Sequence, residues 1–275
     1  MVFPGIFRNA PRSRMCTHCK EVWIMAASPY ATRMLASLAG ATLLLAAPAQ
    51  AQSAGDGFLF GQPRVTLTAR GGFDVARAGS DIFSFATERL TVQRGDFSGF
   101  NGGLDFSIRL ARQVDLMLSG GYTGRVTESE FRDWVGEDDL PIEQTTRFER
   151  VPVTASVKGY LFPRGRSIGR FAWMPARLAP YVGAGGGGVW YRFRQEGEFV
   201  DFQTLDIFRD QLDSTGWAPA VLAMAGADFA LTPRLALTAD ARYTWARADL
   251  GVAFDQFDPI DLSGLAATLG FSIRF

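Results

Sequence analysis

Histidine, cysteine and lysine are almost missing from this chain: 275 residues hold one histidine, two cysteines and two lysines. Apart from Lys158, all of them sit together at Cys16, His18, Cys19 and Lys20. The Cys16–Cys19 motif has no second pair of ligands, whereas a structural zinc site needs about four. With no later cysteine, no disulfide framework is expected even in an oxidising compartment. Enzymes that use an imidazole as general base are disfavoured, and no serine, lysine or carboxylate set has distinctive spacing. No catalytic residue, metal ligand or cofactor is therefore assigned. Excess positive charge is also lacking, with 28 basic against 28 acidic residues, so nucleic acid is not an expected partner. No stretch reaches 18 consecutive apolar residues, which excludes a protein built on spanning helices.

The first 51 residues read as an N-terminal extension plus a cleaved signal peptide. Arg33 precedes an apolar run from Met34 to Ala47, followed by Ala49-Gln50-Ala51, a basic flank, core and small-x-small site. An uncleaved anchor is the other reading, although the run is short for a helix of about 20 residues. Cleavage after Ala51 leaves 224 of the 275 residues, 52–275, as the working domain. Taking Arg8, Arg12, Arg14, Lys20 and Arg33 from the basic count and Glu21 from the acidic count leaves a net charge of −4.

What fills the rest is alternation. Val65, Leu67, Ala69 and Phe73 oppose Thr66, Thr68, Arg70 and Asp74, and Leu104, Phe106 and Ile108 oppose Gly103, Asp105, Ser107 and Arg109. Similar segments follow over Val114–Thr127, Arg150–Leu161, Tyr181–Arg194, Val221–Leu231 and Leu235–Trp245, with the last at Leu265–Phe275. In the glycine-rich fifth segment Tyr181, Val189, Tyr191 and Phe193 are assigned to the apolar face opposite Trp190, Arg192 and Arg194. This period of two is that of strands. About eight strands emerge, each long enough to cross a bilayer when tilted.

The connections alternate in length. ARQVD and LTPR are short, while Arg77–Asp96, Glu128–Thr146, Gln195–Gly216 and Asp249–Asp261 are long. The 163–177 connection is a long member of the short set. Alternating lengths suit an up-and-down barrel with one rim in the periplasm. The polar face carries small residues with Arg, Asp, Thr and Ser rather than a lysine–glutamate surface, so it reads as lining a lumen while the apolar face meets lipid. Tyr181, Trp217, Tyr243 and Trp245 then form an aromatic girdle near the strand ends; ordinary core is the other reading for these rings.

With a signal peptide ending AQA, alternating loops and a terminal FSIRF, the chain resembles the small outer-membrane β-barrel proteins of Gram-negative bacteria, of OmpA or OmpW type. The resemblance spans residues 60–275, with PYVGAGGG and TPRLALTADARY similar to the family's fifth and seventh strands. It implies an all-β, transmembrane, eight-stranded antiparallel up-and-down β-barrel in the outer membrane. It also implies that Leu269, Phe271, Ile273 and Phe275 form the assembly signal read by the barrel-assembly machinery. The implied partners are outer-membrane lipids and lipopolysaccharide, and a monomer is expected. The 163–177 connection departs from the family's tight turn.

The candidate site is the inward charge. Arg70, Asp105, Asp240 and Arg242 are expected to form a central network that closes the lumen, since buried ions must pair; Arg109, Arg150 and Lys158 belong to the same lining. Structural filling and a gated ion path are the two readings of it. Arg164, Arg166, Arg170 and Arg177 are expected at the periplasmic rim, either as a solvated turn or against anionic lipid. The exterior loops are acidic and rich in phenylalanine, which suits packing of the loops on one another or a mouth for an apolar solute. DQFDPID lacks the spacing of a calcium loop. A structural or interaction role with a filled lumen is the leading reading. A narrow channel for small or apolar solutes is the alternative, and a lipid-modifying enzyme the third.

Overall fold

In the computed structural model, residues 58–136, 140–169, 171–200 and 207–275 are described. Ala49 and Ala51 at the expected cleavage site, the Cys16–Cys19 motif and Arg170 lie outside them.

Alternation becomes strand wherever it was long. The long strands are β2 (Val65–Ala76), β3 (Gly99–Arg109), β4 (Val114–Val135), β5 (Pro141–Tyr160), β8 (Leu178–Val200), β9 (Ile207–Ala230), β10 (Leu235–Ala248) and β12 (Gly264–Arg274). Four short ones join them: β1 (Leu59–Phe60), β6 (Gly165–Ile168), β7 (Ala172–Pro175) and β11 (Ile260–Asp261). Among the described residues one α-helix, α1 (Asp81–Arg89), and a 3-10 turn at Arg94–Phe97 lie between β2 and β3.

The expectation of an eight-stranded up-and-down barrel is therefore corrected. Among the described residues there are twelve strands in two sheets, one of nine strands ordered β11-β10-β12-β2-β3-β4-β5-β8-β9 and one of three ordered β1-β7-β6. The short strands were invisible because two to four residues cannot display a two-residue period. β11 branches from β10 beside β12, with Arg247 opposite Asp261. The 163–177 connection is a β6–β7 hairpin rather than a simple turn, and β1 adds to it through Leu59–Trp173 and Phe60–Ala172 pairing. Gly165 must stay small there, since a Cβ would fall 2.4 Å from the Trp173 ring. β9 also pairs with β10, so every long strand has a hydrogen-bonded neighbour on both sides. That pairing satisfies the backbone where lipid offers no partner.

Burial runs opposite to that of a water-soluble sheet. In β12, Phe271 is 63% exposed and its neighbour Ser272 only 2%. Leu265, Leu269 and Ile273 share the exposed face, while Ala266, Thr268 and Arg274 are buried. Leaving each such apolar side chain in water costs about 1.5–3 kcal/mol, so a belt of them belongs in hydrocarbon.

Two segments expected as loops are strand instead. β4 runs on to Val135 and β5 starts at Pro141, so most of Glu128–Thr146 is hairpin; β8 and β9 likewise consume most of Gln195–Gly216. At 20 to 24 residues these four strands are about twice the length of β2, β3 and β12, and a bilayer crossing takes about 9–11. They rise past the membrane as a half-wall, and α1 packs against it. Ile82, Phe83 and Ala86 from α1 are buried with Phe97, Phe131, Ile142, Phe148, Phe193, Phe254 and Ile260. The Phe83 ring lies 4.7 Å from Phe97, 5.5 Å from Phe148 and 5.9 Å from Phe193, each edge to face. The acids of TESEF suggest a loop, yet Ser129 and Phe131 alternate with Glu128 and Glu130 in strand fashion.

An arginine on the exposed face at bilayer mid-depth costs about 2–4 kcal/mol. Leu269→Arg, at the middle of β12, is expected to lower folding stability in liposomes by that amount, measured by guanidinium unfolding; an unchanged midpoint would remove the lipid-facing assignment.

Candidate functional site: the charged interior

Small residues on the inner face leave a cavity that long side chains must fill. Arg70 of β2 lies opposite Gly103, where a Cβ would come within 2.8 Å of its guanidinium, and Gly121 gives it room on the next strand. From there Arg70 Nε donates to Asp105 Oδ1 at 3.2 Å and Nη1 to Asn101 Oδ1 at 2.8 Å. Asp105 also receives Arg242, at 2.6 Å from Nη2 and 3.0 Å from Nη1. Arg242 returns to Asp240 on its own strand, at 3.0 and 2.8 Å. Thr268 and Tyr181 donate to the same Asp240 at 2.8 and 3.1 Å. The four charges expected together, Arg70, Asp105, Asp240 and Arg242, are thus in one cluster, with two cations facing two anions. Their side chains are at most 7% exposed.

The remaining expected members stand elsewhere. Arg150 pairs with Asp74 and donates to the Leu262 carbonyl at 3.1 Å, below the aromatic core, with its guanidinium 5.1 Å from the Phe148 ring. Lys158 lies 3.3 Å from Asp228 and 3.6 Å from the centroid of Tyr181. Tyr160 and Thr238 donate to that Asp228 at 2.7 and 2.9 Å. Arg109 does not join any of these groups: it donates to the Gln62 carbonyl at 2.9 Å.

Two assignments change face. Tyr181 is 2% exposed and bonded to Asp240, so it lines the interior and is not a girdle residue. Val189, Tyr191 and Phe193 turn inward with it, and Trp190 turns outward opposite Trp217. The run Gly185–Gly188 carries no side chains, so nothing in the sequence marked the face. Trp217 and Trp245 are exposed on the outer surface, with Tyr243 4.5 Å from Trp245. Arg164 is also displaced: it is buried, 2.6 Å from Asp115, with its guanidinium 4.8 Å from the Tyr160 ring. Burial alone would lower its pKa, and Asp115 together with Tyr160 more than reverses that, so the net direction is upward. Arg166 and Arg177 are exposed.

Asp74, Asp115, Asp228 and Tyr160 were not singled out from the sequence. Their inward position was legible from the period of two for Asp74, Asp115 and Asp228, but the partner each one reaches was not. Among the described residues no group of three or more His, Cys, Asp or Glu is placed to hold a metal ion. What the arrangement does chemically is neutralise charge and occupy space. An apolar aromatic layer lies at the end of the strands that carries α1, the Arg70–Asp105–Arg242–Asp240 cluster in the middle, and the Lys158–Asp228 and Arg164–Asp115 pairs toward the end that carries the β6–β7 hairpin.

Residues 37–275 match the model of a family described as outer membrane protein beta-barrel domain. Among solved structures the chain is similar to neisserial surface protein A, at 11% identity over 77% of this chain and 97% of that one, with a TM-score of 0.42. It is similar to a major outer membrane protein from Thermus thermophilus, at 11% identity over 78% and 100%, with a TM-score of 0.43. Outer membrane protein W of E. coli gives 15% identity over 78% and 99%, with a TM-score of 0.36. At these scores the solved structures add nothing to the family match. No curated protein matches the sequence.

Removing one partner of a buried ion pair costs about 3–5 kcal/mol. Asp105→Ala, which leaves Arg70 without a carboxylate partner and Arg242 with Asp240 alone, is expected to lose that much stability in detergent unfolding, while Glu88→Ala at an exposed position of α1 changes it little. Equal midpoints for Asp105→Ala and the parent would show that the cluster contributes nothing.

Proposed function

Because this chain belongs to the outer membrane protein β-barrel domain family and is a non-enzymatic component of the outer membrane, we propose that it serves as a structural and interaction element whose interior is filled. The observation that carries this reading is Asp105, which ties Arg70 and Arg242 together across the interior from strands β2 and β10. A gated path needs ions that can exchange partners with water. Here each charge of the central cluster already has an oppositely charged partner, and an aromatic core covers the outer end. Such a domain offers its outer surface, not its lumen, to other molecules.

The partners follow from that surface. The apolar belt meets the acyl chains of outer-membrane lipid and lipopolysaccharide, and the exposed row Leu269, Phe271, Ile273 and Phe275 is available to the barrel-assembly machinery during insertion. Export runs through the segment ending Ala49-Gln50-Ala51, so N-terminal sequencing of the membrane-inserted protein is expected to begin at Gln52.

Planar-bilayer recording tests the filled interior. Refolded protein is expected to give no discrete current steps above a detergent control. Regular steps of one size from the parent protein would overturn the filled-lumen reading in favour of a channel.

A further inference from the structure

The outer surface of the half-wall carries charge in separated levels. On a strand, residues sharing a face recur about every 6.8 Å, so cross-strand register sorts them by height. At the lowest level Val151, Trp190 and Trp217 lie side by side across β5, β8 and β9. The next outward level holds Glu149, Arg192 and Thr215, and the one above it Val126, Arg147, Arg194 and Asp213. Above these come Glu128, Thr145, Glu196 and Gln211, followed by Glu130 opposite Glu143 and Glu198 opposite Arg209. Lipid-level indoles, a basic band and an acidic band therefore succeed one another along four strands.

The basic band is incompletely neutralised. Arg147, Arg192 and Arg194 face only Glu149 and Asp213, which leaves one positive charge in excess. Asp213 is shared, 3.1 Å from Arg194 and 3.5 Å from Arg192, and Arg147 reaches Glu149 only at 3.7 Å. Glu149 also receives the Tyr122 hydroxyl at 2.9 Å. Arg192 Nε faces Asp213 Oδ1 at 3.5 Å, too long for a hydrogen bond, so the ion pairs within the band are loose. Arg147 and Arg194 stand directly opposite on the same face, an arrangement of like charges that destabilises a sheet by itself. An anion bridging the exposed parts of the two guanidinium groups would relieve the repulsion.

We propose that Arg147, Arg192 and Arg194 form a binding site for a phosphate group of the outer-leaflet glycolipid. This deepens the outer-membrane reading above and rests on it. Trp190 and Trp217 mark where hydrocarbon gives way to headgroups, and the arginines begin one level higher, where a lipid phosphate lies. Guanidinium forks match phosphate oxygens in pairs. The glutamates above repel an anion and hold it to the arginine level. Glycolipid acyl chains then lie along Val151, Val153 and Trp217, which adds apolar contact that a free anion lacks.

The test uses folded protein in detergent micelles, titrated with bisphosphorylated lipid A, with dephosphorylated lipid A and with inorganic phosphate, and read by native mass spectrometry. The parent protein is expected to bind bisphosphorylated lipid A at least tenfold more tightly than it binds the dephosphorylated form. The triple variant Arg147→Gln, Arg192→Gln, Arg194→Gln is expected to lose that preference, while the matching triple lysine variant keeps part of it. Equal binding of the two lipid forms by the parent would overturn the site, as would parent-like preference in the glutamine variant. Competition by inorganic phosphate at concentrations equal to the lipid would overturn the glycolipid assignment in favour of a free-anion site. If the glutamine variant fails to fold, judged by the heat-dependent gel shift, the two lipid forms on the parent protein decide alone. Current steps in a bilayer would leave this result untouched, so the two readings fail separately.

Discussion

Hydrocarbon cannot donate or accept a hydrogen bond, and the rest of the structure depends on that constraint. It requires each long strand to be paired on both edges, as the β9–β10 and β12–β2 ladders achieve. It also dictates which face turns outward, so that Phe271 meets lipid and Ser272 does not. Every polar side chain within the membrane is then forced inward, into a space too narrow to hydrate it freely. The ion pairs of the interior are a consequence of the solvent outside.

That inward pressure explains the choice of residues. Arginine reaches across the interior and presents several donors in a fixed plane, which lets Arg242 hold Asp105 and Asp240 at once. Glycine and alanine on the inner face supply the room, as Gly103 does for Arg70. Above the membrane the constraint lapses and the inner face changes character: Phe131, Phe148 and Phe193 replace charges, and α1 supplies the partner surface they need. The outer face changes in the opposite direction, from the belt of Val153 and Trp217 to arginine and then glutamate. One set of strands thus passes through two solvents, and its pattern inverts at the boundary.

Much of this was legible before any coordinates. Eight of the twelve described strands, the long ones, followed from the period of two, and Arg70, Asp105, Asp240 and Arg242 were expected together from their shared face and similar depth. Other parts were not legible for identifiable reasons. β1, β6, β7 and β11 are too short to show a period. The acids of Glu128–Thr146 concealed the inward alternation of Ser129 and Phe131. The glycine run before Val189 erased the register, which placed Tyr181 on the wrong face. Arg164 looked like a rim residue because nothing local indicates that Asp115, 49 positions earlier in the chain, lies 2.6 Å away.

By itself the sequence determined the periodicity, the inverted sense of burial and the inventory of inward charge, because these depend on local geometry and on solvent. Only the tertiary structure decided which cation meets which anion, how the 163–177 hairpin recruits β1, and that α1 seats itself inside the raised wall of β4, β5, β8 and β9. Those outcomes depend on strand register across the sheet, and register is fixed by contacts between residues far apart in the chain.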